Sequence, residues 1–159
     1  MEYTMGSQRE SAVQNASESV CEIVAAVLSY QGELALLRRS NLVTGDIGRW
    51  NCITGFLEPE HEPLYQALTE VEEEAGISKR HLHLLSSAVL NLKGHDGRIW
   101  RVHTFHFRSL TKNLTLNWEN DASIWLHPRQ VNELSTVSWF AHILDACGLA
   151  SHSLSASAG

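Results

Sequence analysis

The sequence predicts an α/β domain in which a mixed β-sheet lies between helices. Three observations predict it. Strand-like segments stand both before and after one strongly marked helix, hairpin signals join some of them, and helical patterns occur at two separate points of the chain. With 159 residues the chain is long enough for one domain with its own core, and not comfortably for two.

Taken in order, Met1 to Ser19 is polar and rich in Ser, Gln and Glu, and has no apolar run. It reads as a flexible tail over residues 1–19, neither a signal peptide nor a membrane span, and no later stretch is long enough to cross a bilayer. The domain is expected over residues 20–150, with a second flexible, Ser/Ala-rich tail at 151–159. Val20 to Ser29 is rich in Val, Ile and Ala, as a buried strand is, and Gln31-Gly32 marks a turn. Glu33 to Arg39 reads as a second strand ending in two arginines, and Asn41 to Arg49, with Gly45 and Gly48, as a loop.

The central helix has the clearest signals. Pro63 suits a first turn, where a missing N–H is harmless, and Gly76 suits the position just past the end. Leu64, Leu68, Val71 and Ala75 recur at helical spacing and predict one apolar face. Glu70, Glu73 and Glu74 stand at i, i+3 and i+4, so their carboxylates gather on another face. Like charges so placed destabilise a helix by roughly 0.2–0.5 kcal/mol per pair unless something positive sits among them. A hard divalent cation would turn that repulsion into a site. A solvated acidic face is the alternative, and the spacing alone does not choose between them.

Beyond the helix, His83 to Leu92 and Ile99 to Leu110 read as strands joined through Asp96-Gly97. Leu114 to Trp118 is expected to be a short strand, Glu119 to Asp121 a turn, and Ser123 to Leu126 another strand. Pro128 to Leu134 reads as a short helix. Thr136 to Cys147 reads as a longer one, with Val137, Phe140, Leu144 and Cys147 on its apolar side and Gly148 closing it.

Composition bounds the partners. A formal net charge of −6 argues against a large nucleic-acid footprint. Cys21, Cys52 and Cys147 lack CxxC spacing and are odd in number, as expected of free thiols in the cytoplasm.

The stretch Gly55 to Ile77, reading GFLEPEHEPLYQALTEVEEEAGI, resembles the Nudix box, Gly-x5-Glu-x7-Arg-Glu-U-x-Glu-Glu-x-Gly-U, with U a bulky aliphatic residue. Aligned without a gap, Gly55 is the first Gly, and Glu70, Val71, Glu73, Glu74, Gly76 and Ile77 fill the later places. Two positions depart: His61 stands for Glu and Thr69 for Arg. Flanking features are similar as well. Trp50 precedes the box, although Ile53 and Thr54 replace a Pro and a Gly. Arg39 lies where the family commonly carries Arg, and Glu58 matches a Glu inside the x5 segment. Glu119 resembles a late acidic residue ahead of a strand.

The resemblance implies an α/β/α sandwich and a Mg²⁺- or Mn²⁺-dependent hydrolase of a small molecule containing a diphosphate, a nucleoside diphosphate derivative. Glu70, Glu73 and Glu74 would be catalytic and would bind metal, with Glu119 as a further ligand. Arg39, Trp50, Gly55 and Glu58 would contact substrate. The departures at His61 and Thr69 keep a second reading in play, a Nudix-fold domain that binds a nucleotide or a protein with weak or no catalysis. Cys52 just ahead of the box prompts a third, an isopentenyl-type diphosphate isomerase, although no surrounding motif of that enzyme accompanies it. A homodimer stays open.

Overall fold

The structure, a computed structural model, describes residues 19–149. Except for Ser19, the tails expected at 1–19 and 151–159 lie outside the described residues.

Strand β1 (Val20–Tyr30) turns into β2 (Glu33–Arg39) through Gln31 and Gly32, both with positive φ, 49° and 86°. A two-residue loop of this kind matches the right-handed twist of the strands it joins. The two strands pair only next to the turn, at Ser29↔Leu34 and Tyr30↔Glu33, and then splay apart. The chain fills the wedge with β3 (Trp50–Asn51), which pairs with β2, and β4 (Ile53–Phe56), which pairs with β1. On its other side β1 runs parallel to β6 (Ile99–Ser109), which forms a long hairpin with the edge strand β5 (Leu82–Lys93). Gly97, at φ 86°, makes the expected turn between them. Strand β7 (Asn120–Leu126) lies antiparallel on the outer side of β2. The sheet is therefore mixed, as expected.

The alternation of β1 divides the core in two. Val24, Ala26 and Leu28 face helix α1 (Pro63–Ala75) and pack with Leu37, Ile53, Phe105 and Phe107 against Ala67, Val71 and Ala75. Ala25 and Val27 face the opposite way, into a second cluster with Cys52, Val102, Phe140, Ile143 and Leu144. Helix α2 (Phe140–Ala146) closes that side. No helix among the described residues is long and apolar enough to cross a membrane.

Four expectations need correction. The buried face of α1 is Gln66, Ala67, Val71, Glu74 and Ala75, while Leu64 is exposed. The helix lies close on β1 and β4, so fully buried alanines take the contact that leucine was expected to make. Leu114 to Trp118 is no strand. Thr115 donates its N–H to the Ala75 carbonyl at the end of α1, and Leu114 and Leu116 pack on the core with no ladder partner. The turn falls at Trp118-Glu119, and β7 begins at Asn120. Finally, the helix expected from Thr136 starts only at Phe140, because Thr136 bridges to Trp50 and the Val137 N–H bonds to the Trp50 carbonyl.

Candidate active site

The splay of β1 and β2 leaves room for β4, and α1 lies over its backbone. Gly55 pairs with Val24 on the α1 side of the sheet, and the Glu70 carboxylate rests on it. A β-carbon at Gly55 would fall inside that carboxylate, which explains glycine there by close approach rather than by an unusual φ.

Glu70 is half-buried and Glu74 is 4% exposed, whereas Glu73 points into solvent. The expected gathering of three carboxylates on one face is thus divided by packing. Glu70 and Glu74 line the buried stripe with Gln66, at i, i+4 and i+8, and Glu73 stands outside it. Gln66 Nε2 donates to Glu70 Oε2 at 2.9 Å, and its Oε1 takes the Glu58 N–H at 3.2 Å and His61 Nδ1 at 2.6 Å. The Glu58 side chain itself is exposed.

Glu74 meets the loop before β7. Asn120 Nδ2 donates to Glu74 Oε1 at 3.4 Å, while Glu74 Oε2 is buried without a partner. The end of β2 holds that loop in place: Arg39 pairs with Asn120, and the Ser40 N–H donates to the Glu119 carbonyl at 2.9 Å. Glu119 is half-buried and accepts from Asn117 Nδ2 at 3.3 Å.

The electrostatics follow from this burial. Loss of solvation, then the Glu119 charge and the adjacent Glu70, push the Glu74 carboxyl up to about 10. Burial also raises Glu70, with hydrogen bonds to Glu74 and Gln66 opposing it and the charges of Glu73 and Glu119 adding to it. Among the described residues no Lys, Arg or His forms an ion pair with Glu70, Glu74 or Glu119.

The other anticipated residues are distributed unevenly. Arg39 lies on the carboxylate side of the sheet, its Nε donating to the Gly45 carbonyl at 2.7 Å and so anchoring the 41–49 loop. Trp50 packs on the opposite core, with the Arg38 guanidinium 5.8 Å from its ring centroid. Cys52 is buried, and burial pushes its thiol far up, so it is an inert core residue and lends no support to isomerase chemistry. Gln66 and Asn120 escaped the sequence reading; the signal available for Gln66 was its helical spacing from Glu70 and Glu74.

Among the described residues no three His, Cys, Asp or Glu side chains converge enough to cage a metal ion by themselves. Mg²⁺ does not require such a cage, since it is commonly held by one or two carboxylates plus waters and substrate phosphates. The orphaned Glu74 oxygen and the oxygen-only donor set fit a hard cation.

The sequence matches the family model for the NUDIX domain over residues 22–147. Among curated proteins none matches it in sequence. Several solved structures share the fold. A C. elegans Ap4A hydrolase, in a binary complex, is 17% identical with a TM-score of 0.67, covering 80% of this chain and 95% of that one. The E. coli ORF135 protein is 22% identical with a TM-score of 0.66, covering 82% and 89%. The NUDIX domain of Shewanella oneidensis NrtR, complexed with ADP ribose, is 14% identical with a TM-score of 0.66, covering 89% and 97%.

Proposed function

The chain belongs to the Nudix family, and we propose that it is a Mg²⁺- or Mn²⁺-dependent pyrophosphohydrolase cleaving the diphosphate linkage of a nucleoside diphosphate derivative. One observation carries this reading: Glu74 is buried with an oxygen that no N–H or hydroxyl donor of the described residues reaches, beside Glu70 and Glu119, and no cation of the described residues pairs with the three. Without metal the cluster stays buried by keeping Glu74 protonated, and a bound cation would relieve the same cost with the carboxylates ionised.

Glu74 and Glu70 would hold the cation from the helix, Glu119 from the loop ahead of β7, and Glu73 from the exposed rim. When bound, the ion neutralises phosphate charge and makes a bound water acidic enough to serve as a nucleophile. The residues of the chain do the rest. Glu70 would accept the proton of the attacking water, a role supported by its pKa, raised by burial, and by its fixed seat over Gly55. Attack at phosphorus breaks the P–O bond of the diphosphate and yields two phosphorylated products. Arg39, beside the Glu119–Asn120 loop, is the nearest candidate for a diphosphate oxygen, provided its guanidinium exchanges the Gly45 carbonyl for the ligand. Glu58 and the Gly55 backbone would contact the substrate from β4 and the loop ahead of α1.

A second reading, nucleotide binding without turnover, is favoured by one observation. The Thr69 hydroxyl turns to the Tyr65 carbonyl at 3.0 Å, so Glu70 has no neighbouring cation from the chain. The name of the C. elegans protein and the ADP ribose bound to the S. oneidensis domain make dinucleoside polyphosphates and ADP ribose the first compounds to assay. Calorimetric titration with Mn²⁺ and a hydrolysis screen of such compounds test the proposal. Binding of Mn²⁺ lost in Glu74→Gln, together with metal-dependent release of two phosphorylated products, is the expected result. Nucleotide binding without product selects the second reading, and the absence of both metal and nucleotide binding sinks the two together.

A further inference from the structure

We propose that Gln66 is the positioning residue of Glu70, linking it to His61 through an uncharged relay that stands where the box pattern has a Glu and Arg of opposite charge. Its functional consequence rests on the Nudix reading above. The pattern leaves position 66 unspecified, so the relay comes from the geometry of this chain.

Gln66 is 4% exposed, and both the oxygen and the nitrogen of its amide are engaged. The Glu58 backbone N–H can only donate, so the atom it meets at 3.2 Å is the amide oxygen of Gln66. The amide nitrogen is then the atom 2.9 Å from Glu70 Oε2, where it donates to the carboxylate. His61 Nδ1, 2.6 Å from the same amide oxygen, must carry a proton, which rules out the Nε2–H tautomer. The edge of Tyr65, 4.8 Å between ring centroids, fixes the plane of that ring. The His61 N–H also closes a turn on the Glu58 carbonyl at 3.0 Å. The loop is therefore tied to the helix by one buried amide. Thr69, at the former Arg position, takes no part, since its hydroxyl bonds within the helix. The amide occupies one oxygen of Glu70 and holds the carboxylate over Gly55, but it adds no positive charge. The relay thus supplies orientation without the electrostatic help an arginine would bring.

Two measurements on the full chain test this. Nitrogen NMR of the metal-free protein reads the His61 tautomer, and electron paramagnetic titration reads Mn²⁺ affinity. Expected are Nδ1–H at His61, and an affinity about tenfold weaker in Gln66→Leu, the usual size of an effect on a residue behind a metal ligand. The His61 signature should be lost in that variant, and Thr69→Ala should leave both readouts unchanged. Gln66→Met, of matching length and without donor or acceptor, replaces Gln66→Leu should the latter not fold. Wild-type His61 in the Nε2–H form, or Mn²⁺ affinity unchanged in a folded Gln66 variant, overturns the relay. Glu74→Gln separates the two failures. If it abolishes Mn²⁺ binding while the Gln66 variant does not, only the relay is wrong. If it too binds as wild type, the carboxylate metal site and the relay's role in it fall together.

Discussion

The Glu70 carboxylate occupies the volume that a β-carbon on Gly55 would fill. The Glu70 carboxylate can lie flat on β4 only because residue 55 has no side chain, and this puts a half-buried acid on the floor of the wedge between β1 and β2. Gly55→Ala should therefore displace the Glu70 carboxylate and lower stability by about 0.5–1.5 kcal/mol, the cost of forcing a side chain off its rotamer. In Gly55→Ala with Glu70→Ala the loss should be smaller than the sum of the singles, because the clash is removed. Thermal melts of the four proteins in the cycle measure this; strict additivity would mean the contact is not shared.

The burial of Glu74 predicts how the metal-free protein responds to pH. Its folded pKa, about 10, lies above its ordinary 4.5, so the folded state holds a proton that the unfolded chain releases. That contribution is full below about 4.5 and is lost as pH rises toward about 10. Stability should decline across this window with a slope of at most about 1.4 kcal/mol per pH unit. Glu74→Gln should flatten the decline. Mn²⁺ uptake by the wild type at neutral pH should release protons, detected as a binding enthalpy that varies with the buffer.

His106 contributes with the opposite sign and on the other side of the sheet. It is buried and bonded through Nε2 to Ser29 Oγ at 3.0 Å, and burial lowers its pKa below 6.5. The unfolded chain then takes up the proton first, so stability is lost as pH falls from 6.5 toward the lower folded value. In urea melts His106→Gln should remove that acid-side loss while retaining the Glu74 decline. A wild-type curve that does not bend just below 6.5 would show that the ring ionises freely in the folded protein.

Restoring the box pattern with His61→Glu and Thr69→Arg should raise kcat on a confirmed substrate, by roughly tenfold if the effect resembles other changes behind a metal ligand. The gain should exceed the sum of the single changes in free energy, because each charge needs the other. His61→Glu alone should be harmful, since it takes from Gln66 Oε1 its donor at 2.6 Å and places a second acceptor there. A double variant no faster than wild type would make the two departures neutral for turnover.

Much of this architecture was legible because local chemistry decides it. Gln31-Gly32 and Asp96-Gly97 announce their turns, Pro63 and Gly76 bracket α1, and the strand pattern of residues 20–39 needs no partner to be recognised. The carboxylate array is likewise a matter of spacing. Where the chain misled, pairing was the missing information. Leu114 to Trp118 has the composition of a strand, but a ladder needs a free edge, and that segment meets the end of a helix instead. Thr136 to Phe140 has helical spacing, but its first residues are drawn to Trp50.

The sequence by itself determined the family, the first two strands, helix α1, the β5–β6 hairpin and the three glutamates. Only the tertiary structure decided which of them are buried together and which side chains serve them. Helical periodicity places Leu64 beside Leu68 and Glu73 beside Glu70, but it does not say at which angle the helix meets the sheet. A modest rotation exposed Leu64 and Glu73, and turned Ala67, Gln66 and Glu74 inward. The small side chains of Ala67 and Ala75 let the helix pack closely on the sheet, and the absent one of Gly55 leaves room for the Glu70 carboxylate. Burial, and with it the raised pKa of Glu74, belongs to that contact between distant segments, so no local pattern carries it.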